Sequence, residues 1–413
     1  MRGSRFLKWS SVVLVLATFV LVASVWAYHR GLKCPGDLEY RYNESLCAHT
    51  GVNPFHVWNQ EVKVDGFVGF PRPDKENCRD VGLRRVVHAY PPWHMAYTWF
   101  YGNMQFPYVV ALIYLFYGFV LSLLLKTFKR NSPAHDSDFY WTWCAFCMLH
   151  PIVSCLAWGN YGIICAGALL GMIIAVEKHE MLAGLLWGFM MIKPQLATLF
   201  FFPLLFQKKY ITIVVAALTC ILATLWPAYV YGESPLALIM QVPQIGAPYD
   251  TSIVFGKLIP RTLVPIAKGC WIAFCVGLCG YCSWIWRSAK NPIFRYAPVA
   301  FFFPLWMYSQ LHDKVASWPF VILVGLLLPQ MIAKRKICVF AVVYILASVL
   351  VGCFCGIWGT CCGLGIFSPT GIGWVYRVID YAGAAINLAF GLYVLVKGPS
   401  YWFCESDTKT TSR

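Results

Sequence analysis

The chain has 413 residues, of which 59% are hydrophobic and 12% charged, with a formal net charge of +15. Soluble domains carry roughly 25% charged residues, so a mean hydropathy of +0.61 excludes an ordinary soluble fold and points to a polytopic membrane protein. The basic excess could suit nucleic acid, but Lys and Arg cluster in short links between apolar runs, where they set orientation in a bilayer. Nucleic acid is therefore not an expected partner.

In chain order, Arg2, Arg5 and Lys8 precede the apolar run Trp9–Ala27. That run is long for a signal peptide and lacks a small-x-small cleavage site, so it reads as a retained first span near 9–28. Residues 29–105 form a long outer loop. The second span, near 107–125, returns to Lys126, Lys129 and Arg130 on the inner side. A third span, about 139–157, meets a tight outer turn at Gly159-Asn160-Tyr161-Gly162. The fourth, 161–176, ends at the inner segment Glu177-Lys178-His179-Glu180.

Residues 181–207 do not fit a simple crossing, because both ends fall on the inner side and Ile192-Lys193-Pro194-Gln195 interrupts the apolar run. A lone lysine at membrane depth costs several kcal/mol, and proline removes a helical hydrogen bond. Two half-helices forming a re-entrant or bent hairpin satisfy both constraints better than a kinked span with a snorkelling lysine. Further spans are expected at 211–230, 268–286, 293–309, 316–333, 337–355 and 380–396, with a second outer loop at 231–265. Basic links at Arg287 and Lys290, at Lys334-Arg335-Lys336 and at Lys397 fall on the inner side throughout. The expectation is an all-α polytopic membrane protein of about twelve membrane segments, one domain over 1–413, with both termini cytoplasmic.

The polar segments carry motifs in order: Gly36-Asp37, Gly51-Val52-Asn53-Pro54-Phe55, Tyr90-Pro91-Pro92, Gly159-Asn160 and Lys193-Pro194-Gln195. Together they resemble glycosyltransferase family 87, integral-membrane mannosyltransferases and related enzymes of the GT-C architecture that use polyprenyl-phosphate sugars. The resemblance runs in register over about residues 1–320. This chain departs from it at Gly159-Asn160, where the family usually has Gly-Gln, and in its divergent C-terminal third. The resemblance implies hexose transfer, most readily mannose, from polyprenyl phosphate to a glycolipid or glycan acceptor at the outer face of a bacterial plasma membrane. Membrane lipids are the remaining partner.

The chemistry suits the residue types. A polyprenyl phosphate is a good leaving group, so the reaction needs a base at the acceptor hydroxyl and cations or donors at the departing phosphate. Asp37, just outside the first span, is the expected base, with Glu39 as its neighbouring rival. Lys193 and His312 are the expected phosphate contacts. Tyr90, His94, Asn160, Gln195 and Asp313 complete the expected substrate site, Asn160 or Gln195 holding sugar hydroxyls. His94 could instead anchor the returning helix at the headgroups, and His312-Asp313 could be merely interfacial. No cofactor and no metal is expected, since no nucleotide-binding glycine pattern appears and Cys361-Cys362 are adjacent rather than at ligand spacing. Most of the 18 cysteines lie within spans as small apolar fillers. Cys34, Cys47 and Cys78 share the outer loop, where one disulfide is possible, and Asn43-Glu44-Ser45 fits a glycosylation sequon. The rival functions are a multi-span lipid or solute transporter, and a ligase or polymerase moving whole lipid-linked glycans. A transporter requires neither Asp37 nor a large ordered outer loop.

Overall fold

The computed structural model describes residues 36–69, 84–86, 90–131, 151–152, 154–156, 158–245, 261–306, 311–333 and 373–403. The expected spans at 9–28 and 337–355, most of that at 139–157, and Cys34, Cys78 and Cys361-Cys362 lie outside these residues.

The first long loop is folded over its described residues. Helix α1 (Asp37–Ala48) starts after Gly36, with Asp37 and Glu39 in its first turn, where carboxylates favour the positive helix end. Helix α2 (Pro54–Trp58) is capped by Asn53, whose side chain accepts from the Phe55 amide 3.0 Å away, and Pro54 fits the first helical turn. Strands β1 (Phe67–Gly69) and β2 (Arg84–Val86) pair in parallel, Val68 opposite Arg85. This small sheet departs from the all-helical expectation. Helix α3 (His94–Thr98) and a 3-10 turn, Trp99–Asn103, return the chain to the apolar body.

There follow α4 (Phe106–Arg130), α5 (Gly162–Ala175) and α6 (Glu180–Met190). The helix stops at Met190 because Pro194 cannot donate to the carbonyl four residues back. Lys193, restricted by the following proline, leaves the helical region at φ −117° and ψ 81°. Beyond the break come α7 (Pro194–Ala197), a 3-10 turn and α8 (Phe201–Phe206). Two indoles satisfy carbonyls around the break: Trp93 donates to Met191 at 2.8 Å and Trp187 to Ala197 at 2.9 Å. The chain continues through α9 (Tyr210–Tyr231), α10 (Pro235–Ile245), α11 (Val264–Trp286), α12 (Ala297–Trp306), α13 (Trp318–Ala333) and α14 (Gly373–Phe403).

Helix α5 is buried on nearly every face and forms the centre of the bundle. On α6, Gly184 and Gly188 let α9 approach closely; a Cβ on Gly184 would lie 2.8 Å from the Thr212 carbonyl oxygen. Three helices among the described residues are long and apolar enough to cross a membrane: Phe106–Arg130, Tyr210–Tyr231 and Pro265–Trp286. Their outward faces present Leu115, Phe119, Leu222 and Tyr229, the apolar surface that a bilayer, not water, solvates. The protein is a membrane protein.

Polar contacts gather at two ends of the bundle. At one, Arg295 pairs with Glu177 at 2.5 Å, and Lys209 lies 3.4 Å from Glu177 and 3.5 Å from Glu180. At the other, Asn53 of the first loop donates to Glu233 at 3.0 Å and to Gln241 at 3.2 Å. The two loop segments, 36–69 and 231–245, thus meet through their polar side chains.

Candidate active site

Asp37 stands in the first turn of α1, half-buried. The turn before α5 is pressed against it. Gly159 has φ +63°, which favours glycine, and a Cβ there would come 2.6 Å from Leu38 Cβ. A Cβ on Gly36 would lie 3.0 Å from the Trp158 carbonyl oxygen. Glycines on both sides therefore bring the next residue, Asn160, to the carboxylate.

The Asn160 side chain is used at both ends. Its Nδ2 donates to Asp37 Oδ2, and its Oδ1 accepts from the Gly162 amide at 3.0 Å and from Lys193 Nζ at 2.5 Å. Its backbone carbonyl accepts from the Tyr117 hydroxyl at 2.8 Å. Lys193 Nζ in turn lies 2.5 Å from Asp313 Oδ1. Asn160, Lys193 and Asp313 are only 1%, 2% and 1% exposed, so this is a buried chain of charge-assisted hydrogen bonds ending at Asp37. The expectation of a lone lysine at membrane depth is corrected: a buried cation is tolerated when paired, and Asp313 supplies the pair.

An aromatic wall covers the chain. Tyr90 lies 5.6 Å from Lys193 Nζ and 4.5 Å from the Arg41 guanidinium, measured from its ring centroid. It stacks on His94 at 5.1 Å and meets Tyr161 at 5.6 Å, and the Tyr161 hydroxyl donates to that of Tyr101 at 3.0 Å. Burial pushes the Tyr90 phenol far above its ordinary range, so it stays neutral. His94 is fully buried, with Nε2 3.3 Å from the Thr98 hydroxyl. It belongs to this wall rather than to a headgroup anchor.

Of the remaining expected residues, Gln195 is half-buried in α7, two residues beyond Lys193. His312 sits beside Asp313 in the 3-10 turn Leu311–Ser317, placed by its backbone alone. Glu39 is half-buried, turned by about 200° around α1 from Asp37.

Arg41 and Glu44 were not anticipated. They follow Asp37 at four and seven residues, so all three share one face of α1. Their ion pair is 2.5 Å long, with both side chains buried. Burial opposes the Arg41 charge, and Glu44 together with Tyr90, Asp37 and Tyr161 more than offsets it. Burial also pushes Glu44 up to about 8 against the pull of Arg41. The spacing was the available signal, once the loop is seen as a helix. The same helix buries Asn43 and Ser45, so the sequon is inaccessible in the folded chain. Cys47 is buried with a free thiol.

The family model for Glycosyltransferase family 87 matches residues 89–309. The chain belongs to this family. It is accordingly a membrane glycosyltransferase. No curated protein and no solved structure shows a significant match to the chain. The family match contains Tyr90, His94, Asn160, Lys193 and Gln195, and it leaves Asp37, His312 and Asp313 outside. Family membership alone therefore does not assign Asp37 or Asp313; their connection to the matched region is the hydrogen-bonded chain through Asn160 and Lys193.

Proposed function

We propose that the protein transfers a hexose, mannose in the first instance, from a polyprenyl-phosphate donor to a glycolipid or glycan acceptor at the non-cytoplasmic face of a bacterial plasma membrane. The observation that carries this reading is the convergence of Asp37, Asn160, Lys193 and Asp313 from four separate segments into one chain of contacts. A carboxylate is thereby positioned beside a buried ammonium, as displacement of a phosphate by a hydroxyl requires.

Asp37 is the base. Asn160 holds Oδ2, which leaves Oδ1 to take the acceptor's proton as the acceptor oxygen bonds to the anomeric carbon. The bond from that carbon to the phosphate oxygen breaks, its electron pair leaving with the phosphate, and the anomeric centre inverts. Lys193 has three ammonium protons. Asn160 and Asp313 take two of them, and the third is directed to a phosphate oxygen. His312 is placed beside Asp313 to add a second contact there, and Tyr90, His94 and Gln195 line the sugar.

The contacts of Lys209 with Glu177 and Glu180 support a re-entrant α6–α8 hairpin with its tip at Lys193, because they bring its two ends to the pole away from Asp37. About twelve membrane segments, with both termini cytoplasmic, complete the reading. The test is transfer from radiolabelled polyprenyl-phosphate mannose in membranes. Asp37→Asn should lower turnover by about 10²–10⁴-fold with donor binding retained. Turnover within a few-fold of wild type would remove Asp37 from the chemistry and favour Glu39 or a transport function.

A further inference from the structure

A second feature lies in the half of the bundle away from Asp37. A groove of about 460 Å³ runs between α4, α5 and α6. It exists because α5 is drawn deeply between its neighbours. A Cβ on Gly167 would lie 2.6 Å from Val120, and one on Gly171 would lie 2.9 Å from Leu186. Helices α4 and α6 thus stand as walls above an α5 floor. Phe119 and Leu123 line one wall, Ala168 lines the floor, and Ile174 stands at the rim. Phe119 and Ile174 are 59% and 68% exposed, an apolar surface that only hydrocarbon would cover favourably.

One end of the groove differs. Lys126 and Arg130 stand there, both exposed, four residues apart on one face of α4. Tyr114 and Tyr117 donate to the carbonyls of Leu156 and Asn160. At about 100° per residue they fall on the opposite flank of α4 from Phe119 and Leu123.

We infer that this groove binds an anionic glycerophospholipid of the inner leaflet, with an acyl chain between α4 and α6 and its phosphate between Lys126 and Arg130. The occupant follows from charge complementarity. Two cations at the mouth of an otherwise apolar trough of this size match an amphiphile with a single-signed headgroup. A zwitterionic lipid brings its own cation to the same place. The inference is independent of the sugar-transfer reading, since no residue of the groove belongs to the Asp37 chain.

The full-length protein, purified from nanodiscs of mixed phosphatidylglycerol and phosphatidylcholine, would be examined by native mass spectrometry for retained lipid. Wild type should retain phosphatidylglycerol several-fold above its share in the bilayer. Lys126→Gln with Arg130→Gln should return the ratio to that share. Ala168→Trp, which fills the floor and leaves both charges, should do the same. Ile174→Trp at the exposed rim serves if the buried substitution prevents folding. Absence of enrichment in wild type would overturn the proposal. So would enrichment that survives both tryptophans, which would mean surface attraction to basic residues without a seated lipid. Displacement of phosphatidylglycerol by an equal mole fraction of polyprenyl phosphate would assign the groove to a prenyl carrier and also overturn it.

Discussion

Asn160 donates its side-chain amide to the Asp37 carboxylate across 123 residues of sequence. The same amide accepts from Lys193, so one neutral group separates a carboxylate from an ammonium that a direct salt bridge would otherwise join. Asp37 therefore shares one oxygen with Asn160, and Lys193 keeps its ion pair with Asp313. An amide suits this position because it presents a donor and an acceptor on one rigid plane.

The Lys193–Asp313 pair predicts a strong coupling. Lys193→Met strands a buried carboxylate, and breaking one partner of a buried pair costs about 3–5 kcal/mol. Asp313→Asn added to it should recover most of that loss in thermal unfolding of the purified protein. Binding of polyprenyl phosphate should stay weak in the double variant, because the ammonium is still missing. Unchanged stability in Lys193→Met alone would mean that the pair does not form.

Gly159 and Gly66 make a controlled comparison. Both have positive φ, +63° and +80°, but only Gly159 has a neighbour where a Cβ would go. Gly66→Ala should cost only left-handed backbone strain, about 1–2 kcal/mol. Gly159→Ala should cost that and also push the first turn of α1, so it should depress transfer at temperatures where the protein remains folded. Equal activity in the two variants would show that Asp37 does not depend on this contact.

Glu44 predicts a pH dependence of the α1 segment. Its folded value of about 8 lies above the ordinary 4.5, so the folded loop binds the proton more tightly than the unfolded chain. The stabilisation is complete below the ordinary value and is lost as pH rises through the folded one. Hydrogen exchange of the α1 amides should therefore be slower at about pH 5 than at about pH 9, after correction for intrinsic rates. Glu44→Gln should flatten that difference. A wild-type profile that is already flat would contradict the assignment.

Topology can be read without activity. In a cysteine-free background, single cysteines at Gly66 and at Lys314, which is exposed next to the buried Asp313, should react with an impermeant maleimide from outside. A cysteine at the exposed Lys178 should react only after permeabilisation. Labelling of position 314 from the inside would place Asp313 and Asp37 on opposite faces and dismantle the site.

Much of this site could be read from residue order, because single residues with unusual costs mark it. Pro194 after a lysine inside an apolar run reports a break, and the structure breaks there. Gly159-Asn160 between two apolar runs reports a tight turn, and it is one. The partners that relieve those costs were not legible. Asp313 follows Lys193 by 120 residues, and nothing local in either segment names the other. Arg41 and Glu44 escaped for a different reason: polar residues in a polar loop look solvated until the loop is known to be a helix packed under Tyr90. The small parallel sheet was invisible because strands of three residues are too short to show a period.

The chain of contacts from Asp37 to Asp313 also sets an order on biosynthesis. Translation delivers Asp37 first, Asn160 next, then Lys193, and its counter-ion Asp313 well past two-thirds of the chain. A nascent protein that has emitted residue 193 but not 313 carries the Lys193 cation at the break before α7 without the Asp313 carboxylate. That intermediate leaves Lys193 without its ion pair until residue 313 arrives. The site is thus incomplete until about three-quarters of the chain has been made.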